Sequence, residues 1–255
     1  MTDRFNSDTE ALKSRADLNA ANAKHDLERW LLGLIPPVRG LRILDLGCGV
    51  GKQIFRLAPL VTRAGSILGV DLSADAVRAV NERARAEDLG FIEARQMALD
   101  DCVASLTGSQ FDLVLSSYAI YYSRDLVALL RKLRLVLSRR GTVFVCGPAR
   151  GTNREIIQLV NGLVRGPAEQ LKTVEGFLAP AQIEAIARDY AHHTVATLDN
   201  EVAFDSTHSV LAWWRNHNSF VPSVATEVQQ NLHAHFLKQR LFVLTKNVLG
   251  VRFDV

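Results

Sequence analysis

The sequence predicts an α/β fold, a doubly wound and mostly parallel sheet with helices on both faces, and three observations carry that prediction. Short apolar runs alternate with helix-period stretches from about Leu41 to Gly147, the pattern of a parallel sheet buried between helical layers. The apolar run Ile43-Leu44-Asp45-Leu46 breaks into three closely spaced glycines, Gly47, Gly49 and Gly51, and resumes as a helix over about Lys52 to Leu60. A second apolar run, Ser66-Ile67-Leu68-Gly69-Val70-Asp71, ends in an acid and opens another helix. At 255 residues the chain is long enough for one such domain with additions.

In chain order, residues from about Asp8 to Leu34 read as an amphipathic helical region ended by Pro36-Pro37. Such a segment is well placed to cover a ligand bound at the carboxyl ends of the strands. The glycine turn follows the first strand. Without Cβ atoms it can take positive φ values and bring its backbone against a ligand, while the next helix aims its N-terminal amides at the same spot. The spacing separates three nucleotide-binding loops. A phosphate-binding loop needs four residues between its first glycine and Gly-Lys-Ser/Thr, whereas Gly47 to Gly51 leaves three and Gln53 stands where a hydroxyl is required. Lys52 then reads as a solvated helix-start residue. The dinucleotide pattern G-x-G-x-x-G is one residue too long for Gly47-Cys48-Gly49-Val50-Gly51. At the end of the second strand, the Asp71 carboxylate can accept both hydrogen bonds of a ribose diol. The competing role of helix N-cap suits Ser73, ahead of Ala76, Val77, Val80 and Ala84.

Leu44-Asp45-Leu46-Gly47-Cys48-Gly49-Val50-Gly51 resembles motif I of the class I S-adenosylmethionine-dependent methyltransferases of small-molecule type, and Ser66 to Ser73 is similar to the second strand of that family. The resemblance continues through Phe111-Asp112-Leu113-Val114-Leu115-Ser116-Ser117 as a fourth strand. Arg131 to Leu137, a glycine turn at Gly141 and Thr142-Val143-Phe144-Val145 resemble the helix and fifth strand beyond it, so the first three fifths of the chain are covered. It implies S-adenosyl-L-methionine as cofactor and S-adenosyl-L-homocysteine as product. It also implies a seven-stranded sheet with a reversed final strand, here Leu241 to Lys246 beside the fifth strand with Thr194 to Phe204 at the edge. The domain plan is then a helical cover over 1–40 and a cofactor-binding domain over 41–255. That domain carries a substrate-lid insertion at about 150–192, with helices near 153–164 and 180–190, and a helical insertion at about 206–239. The cofactor-binding residues implied are Asp45, Gly47, Cys48, Gly49, Gly51, Asp71, Leu72, Ala98, Leu99, Asp100 and Ser116. Where the family often has an acid followed by a small residue after the third strand, this chain reads Met97-Ala98-Leu99-Asp100-Asp101, which leaves the adenine contact open among the last four.

Methyl transfer asks the protein mainly to hold donor and acceptor together, so the catalytic side chains stay unassigned. The loop Ser117-Tyr118-Ala119-Ile120-Tyr121-Tyr122-Ser123 holds three of the chain's four tyrosines and is the expected acceptor side, since aromatic rings suit a sulfonium and phenols orient a polar substrate. The competing role for Tyr118, Tyr121 and Tyr122 is packing of the loop. His25, near Trp30 in the N-terminal cover, and His217, beside Trp213-Trp214, are further acceptor-pocket candidates. For the latter region a core-packed tryptophan pair with exposed His208 and His217 is the favoured reading. His233 and His235 face different ways on a helix, and His192 and His193 point to opposite faces of a strand.

Composition narrows the rest. A formal net charge of +3 is small and dispersed, and Arg131, Arg134, Arg139 and Arg140 read as a solvated helix end and turn, so no nucleic-acid partner is expected. The apolar run Leu31 to Pro37 is too short for a bilayer and Met1-Thr2-Asp3-Arg4 has no signal-peptide pattern, so a cytoplasmic protein without membrane association is expected. Cys48, Cys102 and Cys146 contain no C-x-x-C pair, which gives neither a disulfide framework nor a metal site. Cys48 reads as a small residue beneath the cofactor, not a nucleophile. The reading is O- or N-methylation of a small molecule by a monomer or homodimer. Two alternatives stand: an NAD(P)-dependent oxidoreductase, which lacks a Tyr-x-x-x-Lys pair, and a binding protein that holds S-adenosylmethionine or its product without turnover.

Overall fold

The computed structural model of the chain describes residues 9–35, 41–61, 64–106, 108, 110–166 and 170–255. Its helices are α1 (Thr9–Asn22), α2 (Leu27–Leu34), α3 (Lys52–Leu57), α4 (Ala74–Ala86), α5 (Leu99–Ser105), α6 (Leu126–Leu133), α7 (Arg154–Asn161), α8 (Pro180–Ala187), α9 (Thr207–Arg215) and α10 (Ala225–Phe236). Its strands are β1 (Arg42–Leu46), β2 (Ser66–Asp71), β3 (Ile92–Gln96), β4 (Phe111–Ser117), β5 (Leu137–Pro148), β6 (His192–Leu198), β7 (Glu201–Phe204), β8 (Phe242–Thr245) and β9 (Val248–Asp254). Two compact units divide the chain: a sheet unit of Leu31–Gly147, Phe177–Ala196 and Leu249–Val255, and a second unit of Met1–Trp30, Pro148–Gly176 and Thr197–Val248.

Seven strands form the large sheet in the order β3-β2-β1-β4-β5-β9-β6. β1 pairs parallel with β2 and β4, setting Asp45 opposite Gly69 and Leu115. These central strands are apolar almost throughout because helices cover both faces, and Leu44, Leu46, Val70, Val114, Val143 and Val145 join one core with Leu130 and Leu133 of α6. At its far end β9 runs against its neighbours: the Val255 amide donates to the Gly141 carbonyl at 3.1 Å and the Ala191 amide to the Asp254 carbonyl at 2.9 Å. The doubly wound sheet with one reversed strand is therefore the observed fold.

Which segment is reversed differs from expectation. Leu241 to Lys246 does not join the large sheet. Its core, β8, pairs antiparallel with β7 from Glu201 opposite Thr245 to Phe204 opposite Phe242, and Val248–Asp254 takes the place beside β5. The reason is burial. β9 buries Val248, Val251 and Phe253, whereas β8 buries Leu244 alone. Asn247 makes the break, its carbonyl accepting from the Ala149 amide and the Thr152 hydroxyl. Thr194 to Phe204 likewise breaks in two at Asn200, whose Oδ1 accepts from the amides of Glu201 and His25. Gly141 is no turn but an irregularity within β5, where the register against β4 shifts between Phe111 and Leu113.

The N-terminal region is two helices. Ala23 bridges Val202, and Asp26 Oδ1 caps α2 by accepting from the amides of Glu28 and Arg29. The expected start at Asp8, the stop at Pro36-Pro37 and the reading of Met1 to Arg4 lie outside the described residues. The segment 150–192, read as one insertion, is divided at Gly176, with α7 in the second unit and α8 in the sheet unit. The second unit has its own core, in which Trp213 and Trp214 are fully buried with Phe204, Val210, Val228 and Leu244. Among the described residues no helix is long and apolar enough to cross a membrane.

Candidate active site

The glycine turn after β1 is pinned by its neighbour strand: the amides of Gly47 and Cys48 both donate to the Val70 carbonyl, at 2.7 and 3.0 Å. All three glycines have positive φ, +77°, +50° and +81° for Gly47, Gly49 and Gly51, a region that disfavours side chains. Their surroundings differ. A Cβ on Gly47 would lie 2.0 Å from the Ala119 Cβ, and one on Gly51 would meet Phe55 and Val80 below 3.0 Å, but one on Gly49 would meet nothing within 4 Å. Gly47 is therefore where the loop after β4 presses against the glycine turn, and Gly49 is the member that faces open space.

Asp71 ends β2 beside this turn. Its Oδ2 accepts from the Gly49 amide at 2.8 Å and its Oδ1 from the Ser73 amide at 2.9 Å, so the carboxylate fixes both loops and keeps lone pairs for further donors. Ser73 is the N-cap of α4, accepting from the Ala76 amide. Next to Asp71, Leu72 is 66% exposed. Asp45 lies beneath, 1% exposed, and its Oδ2 has no hydrogen-bond partner. Burial, reinforced by the Asp71 carboxylate, pushes the Asp45 carboxyl up to about 7. Cys48 is buried, and burial followed by the charges of Asp45 and Asp71 pushes its thiol well above the usual range, which leaves it inert as a nucleophile.

The other side chains expected at the cofactor take different parts. Ser116 is fully buried and its hydroxyl donates to the Leu46 carbonyl at 2.6 Å. Its side chain ties β4 to β1 within the sheet interior. Ala98 precedes α5 and Leu99 packs into the core. The Asp100 carboxylate is engaged: Oδ1 accepts from the Ser123 hydroxyl at 2.7 Å and Oδ2 from the Arg124 amide at 3.2 Å. Burial pushes its carboxyl up, but these bonds and the Arg124 guanidinium outweigh it and hold it below the ordinary range. Asp101 pairs with Arg124 at 3.0 Å.

Ser123 and Arg124 close the tyrosine loop, so the Asp100 contact anchors that loop to α5. Tyr118 has a left-handed backbone, φ +57°, and is 36% exposed, a conformation that burdens a bulky residue by roughly 1 kcal/mol and that recurs at binding sites. Tyr121 and Tyr122 pack with ring centroids 4.8 Å apart, and Tyr121 also meets Phe177 at 6.2 Å. Gly147 makes room for them, since a Cβ there would crowd both Phe177 and Tyr121. Phe177 was not foreseen; it lies in a stretch without periodicity.

His25 and His217 belong to the second unit. His25 is exposed, its backbone clasped by Asn200. His217 is not the exposed residue expected. It stacks on Trp213 with centroids 4.6 Å apart, and its Nδ1 accepts from the Ser219 amide at 3.1 Å. Burial, then the charges of Lys246 and Arg15, lowers its pKa well below the ordinary value, so the ring is neutral at pH 7. Asn153 and Lys246, both beside it in the same unit, carried no motif in the sequence.

A backbone turn open at Gly49, an exposed apolar residue at Leu72 and an unpartnered buried carboxylate oxygen at Asp45 together fit a nucleoside ligand that carries a cationic amine. Comparison with known proteins agrees. Residues 37–207 match the family model of a methyltransferase domain. Over 120 residues, 47% of this chain, the sequence is 29% identical to the aklanonic acid methyltransferase of Streptomyces sp. (strain C5), covering 54% of that protein. It is 31% identical over 120 residues to the nocamycin O-methyltransferase of Saccharothrix syringae, covering 42%. The chain thus spans about half the length of the curated relatives it matches. The fold is shared with the YcgJ protein of Bacillus subtilis, TM-score 0.60 at 16% identity over 89% of this chain and 98% of that one. It is shared as well with a SAM-dependent methyltransferase of Aquifex aeolicus, TM-score 0.51 at 13% identity over 94% and 98%. With the match extending over two thirds of its length, from before β1 to the start of α9, the chain belongs to the methyltransferase-domain family.

Proposed function

We propose that this chain transfers the methyl group of S-adenosyl-L-methionine to an oxygen or nitrogen atom of a small-molecule acceptor, with S-adenosyl-L-homocysteine as product. The observation that carries the reading is the Asp71 carboxylate clamped on the Gly49 amide above the unpartnered Oδ2 of Asp45. When bound, the cofactor supplies a methyl group activated by its sulfonium. The residues of the chain do the rest. Asp71 accepts from a ribose diol, Asp45 Oδ2 accepts from the amine, the Gly47–Gly51 backbone admits the nucleoside edge, and Leu72 with Ala98 and Leu99 borders the base. Tyr118, Tyr121 and Tyr122 orient the acceptor, and such positioning is worth roughly 7–11 kcal/mol without a dedicated base. The relatives support a small acceptor: one is named for aklanonic acid and one for O-methylation of nocamycin. The family assignment speaks against the nicotinamide alternative. We read the protein as cytoplasmic and as a monomer or homodimer.

Calorimetric titration with S-adenosylmethionine, S-adenosylhomocysteine and NAD tests this. Binding of the first two alone is expected, with affinity falling about 100-fold in Asp71→Ala, as the loss of two charge-assisted hydrogen bonds predicts. NAD binding alone, or full affinity in Asp71→Ala, overturns the reading. Binding without transfer across a panel of hydroxyl and amine acceptors assigns the non-catalytic alternative.

A further inference from the structure

Between α9 and α10 the second unit opens a groove of about 400 Å³ that the transfer described above does not use. Both walls belong to that one unit. His208, Leu211, Ala212 and Arg215 line the groove from α9, and Gln229 and His233 from α10. Their spacings are those of a single face on each helix, i, i+3, i+4 and i+7 along α9 and i, i+4 along α10. The frame behind these side chains is firmly packed. Ser206 caps α9 by accepting from the Ser209 amide, and α9 buries Val210, Trp213 and Trp214 fully, as α10 does Val228 and Leu232.

The polar side chains of the groove are unengaged. Arg215 is exposed and, among the described residues, its guanidinium joins no ion pair or hydrogen bond, whereas Arg150 and Arg154 of the same unit pair with Glu175 and Glu155. The side chains of His208, Gln229 and His233 are likewise without a partner among the described residues. His235, two positions on, gives the contrast, with its Nε2 2.9 Å from the Leu241 carbonyl. No acidic side chain is among those that line the groove. A guanidinium presents a planar fork of N–H donors matched to phosphate and carboxylate oxygens, and an imidazole offers an N–H in its neutral and its charged form alike. The complement of such a lining is an anionic oxygen. The volume is larger than a bare anion needs and falls in the range of small-molecule sites, about 300–1,000 Å³. Leu211, 6% exposed, and Ala212 supply apolar surface for the rest of the ligand.

We infer that the groove between α9 and α10 binds a small organic oxyanion, its phosphate or carboxylate held by Arg215 with His208, Gln229 and His233 as further donors and its apolar body over Leu211 and Ala212. The site stands independently of the transfer reading. Phenyl phosphate and benzoate are the probes, titrated calorimetrically into the full chain at pH 7, with inorganic phosphate as the head alone and benzyl alcohol as the body alone. At least one of the two organic anions is expected to bind, the tighter of them assigning the head group, with affinity about tenfold or more above that of inorganic phosphate and of benzyl alcohol. Arg215→Gln should weaken it about tenfold or more, and His208→Asn and His233→Asn about threefold each. All three residues are exposed, so these variants should fold as wild type. Arg240→Gln removes the same charge from an exposed residue of the same unit outside the groove and should leave affinity unchanged. In proton NMR of the same titration the ring resonances of His208 and His233 should move and those of the chain's other histidines stay. Silence toward both organic anions, equal affinity for inorganic phosphate, undiminished binding in Arg215→Gln, an equal loss in Arg240→Gln, or shifts confined to other histidines overturns the site.

Discussion

Asp45, buried in the sheet unit, and Lys246, partly buried in the second unit, are ionisable groups brought to the same point from opposite ends of the scale. Burial raises the carboxyl of the first to about 7 and lowers the amine of the second to about 7. Each also feels a like charge, Asp71 for the one and Arg15 for the other. They differ in how they are assembled. Asp45 and Asp71 lie on adjacent strands whose register is fixed by the sheet. Lys246, Asn153 and His217 come from three separated segments, joined by the Asn153 amide donating to the Thr245 carbonyl and by His217 and Lys246 meeting the Trp213 ring. The first site is held against its charge repulsion by backbone pairing. The second has one backbone bond and otherwise rests on side-chain contacts with the Trp213 ring.

The comparison breaks most visibly in the dependence of stability on pH. A carboxyl raised from 3.8 to about 7 binds more protons in the folded state across that interval, so Asp45 removes stability as pH rises through it. A lysine lowered from 10.5 to about 7 binds fewer protons in the folded state, so Lys246 is destabilising below about 7 and returns stability as pH climbs toward 10.5. Each limb is at most about 4–5 kcal/mol. Urea denaturation of the cofactor-free protein should therefore give a stability minimum near pH 7. Asp45→Asn should flatten the acid-side fall and Lys246→Met the alkaline-side rise, each leaving the other limb. Parallel curves for wild type and both variants would refute the burial of these charges.

The same contrast explains what could be read without the structure. The Gly47–Gly51 turn, Asp71 and the order of β1 to β5 were legible because each is local: a strand end, a turn residue and a helix start adjoin in sequence. The side-chain partners of Ser116 and Asp100, the Leu46 carbonyl and the Ser123 hydroxyl, were not legible because they are fixed by sheet register and loop packing that no periodicity displays. Leu241 to Lys246 reads as the reversed strand of the large sheet because nothing in the apolar pattern marks Asn247, which turns the chain through bonds to Ala149 and Thr152 and leaves that place to Val248–Asp254. Asn153 and Lys246 were invisible for the same reason, since their significance lies in burial.

Within the sheet unit a smaller effect separates two neighbouring glycines. At Gly47 a methyl group would sit 2.0 Å from the Ala119 Cβ at a φ of +77°, so Gly47→Ala must displace the loop after β4 or the turn itself. Overpacking with a left-handed alanine should remove about 3 kcal/mol or more, a fall in Tm of roughly 6–12 °C for a domain of this size. Thermal unfolding followed by circular dichroism measures it, and a Tm within 2 °C of wild type would mean the two loops do not press together.

At Gly49 the same substitution meets nothing within 4 Å, and only the φ of +50° opposes it. The stability loss should be about 1 kcal/mol. What the new methyl occupies is the open side of the turn, beside the amide that Asp71 holds. If that space is for a ligand, Gly49→Ala should lower S-adenosylmethionine affinity about tenfold, equivalent to about 1.4 kcal/mol, while Tm moves little. The pair then divides the turn into a residue that serves packing and one that serves binding. Wild-type affinity in Gly49→Ala would move the ligand to another face of the turn, where the exposed Leu72 and the unpartnered oxygen of Asp45 would need a different explanation.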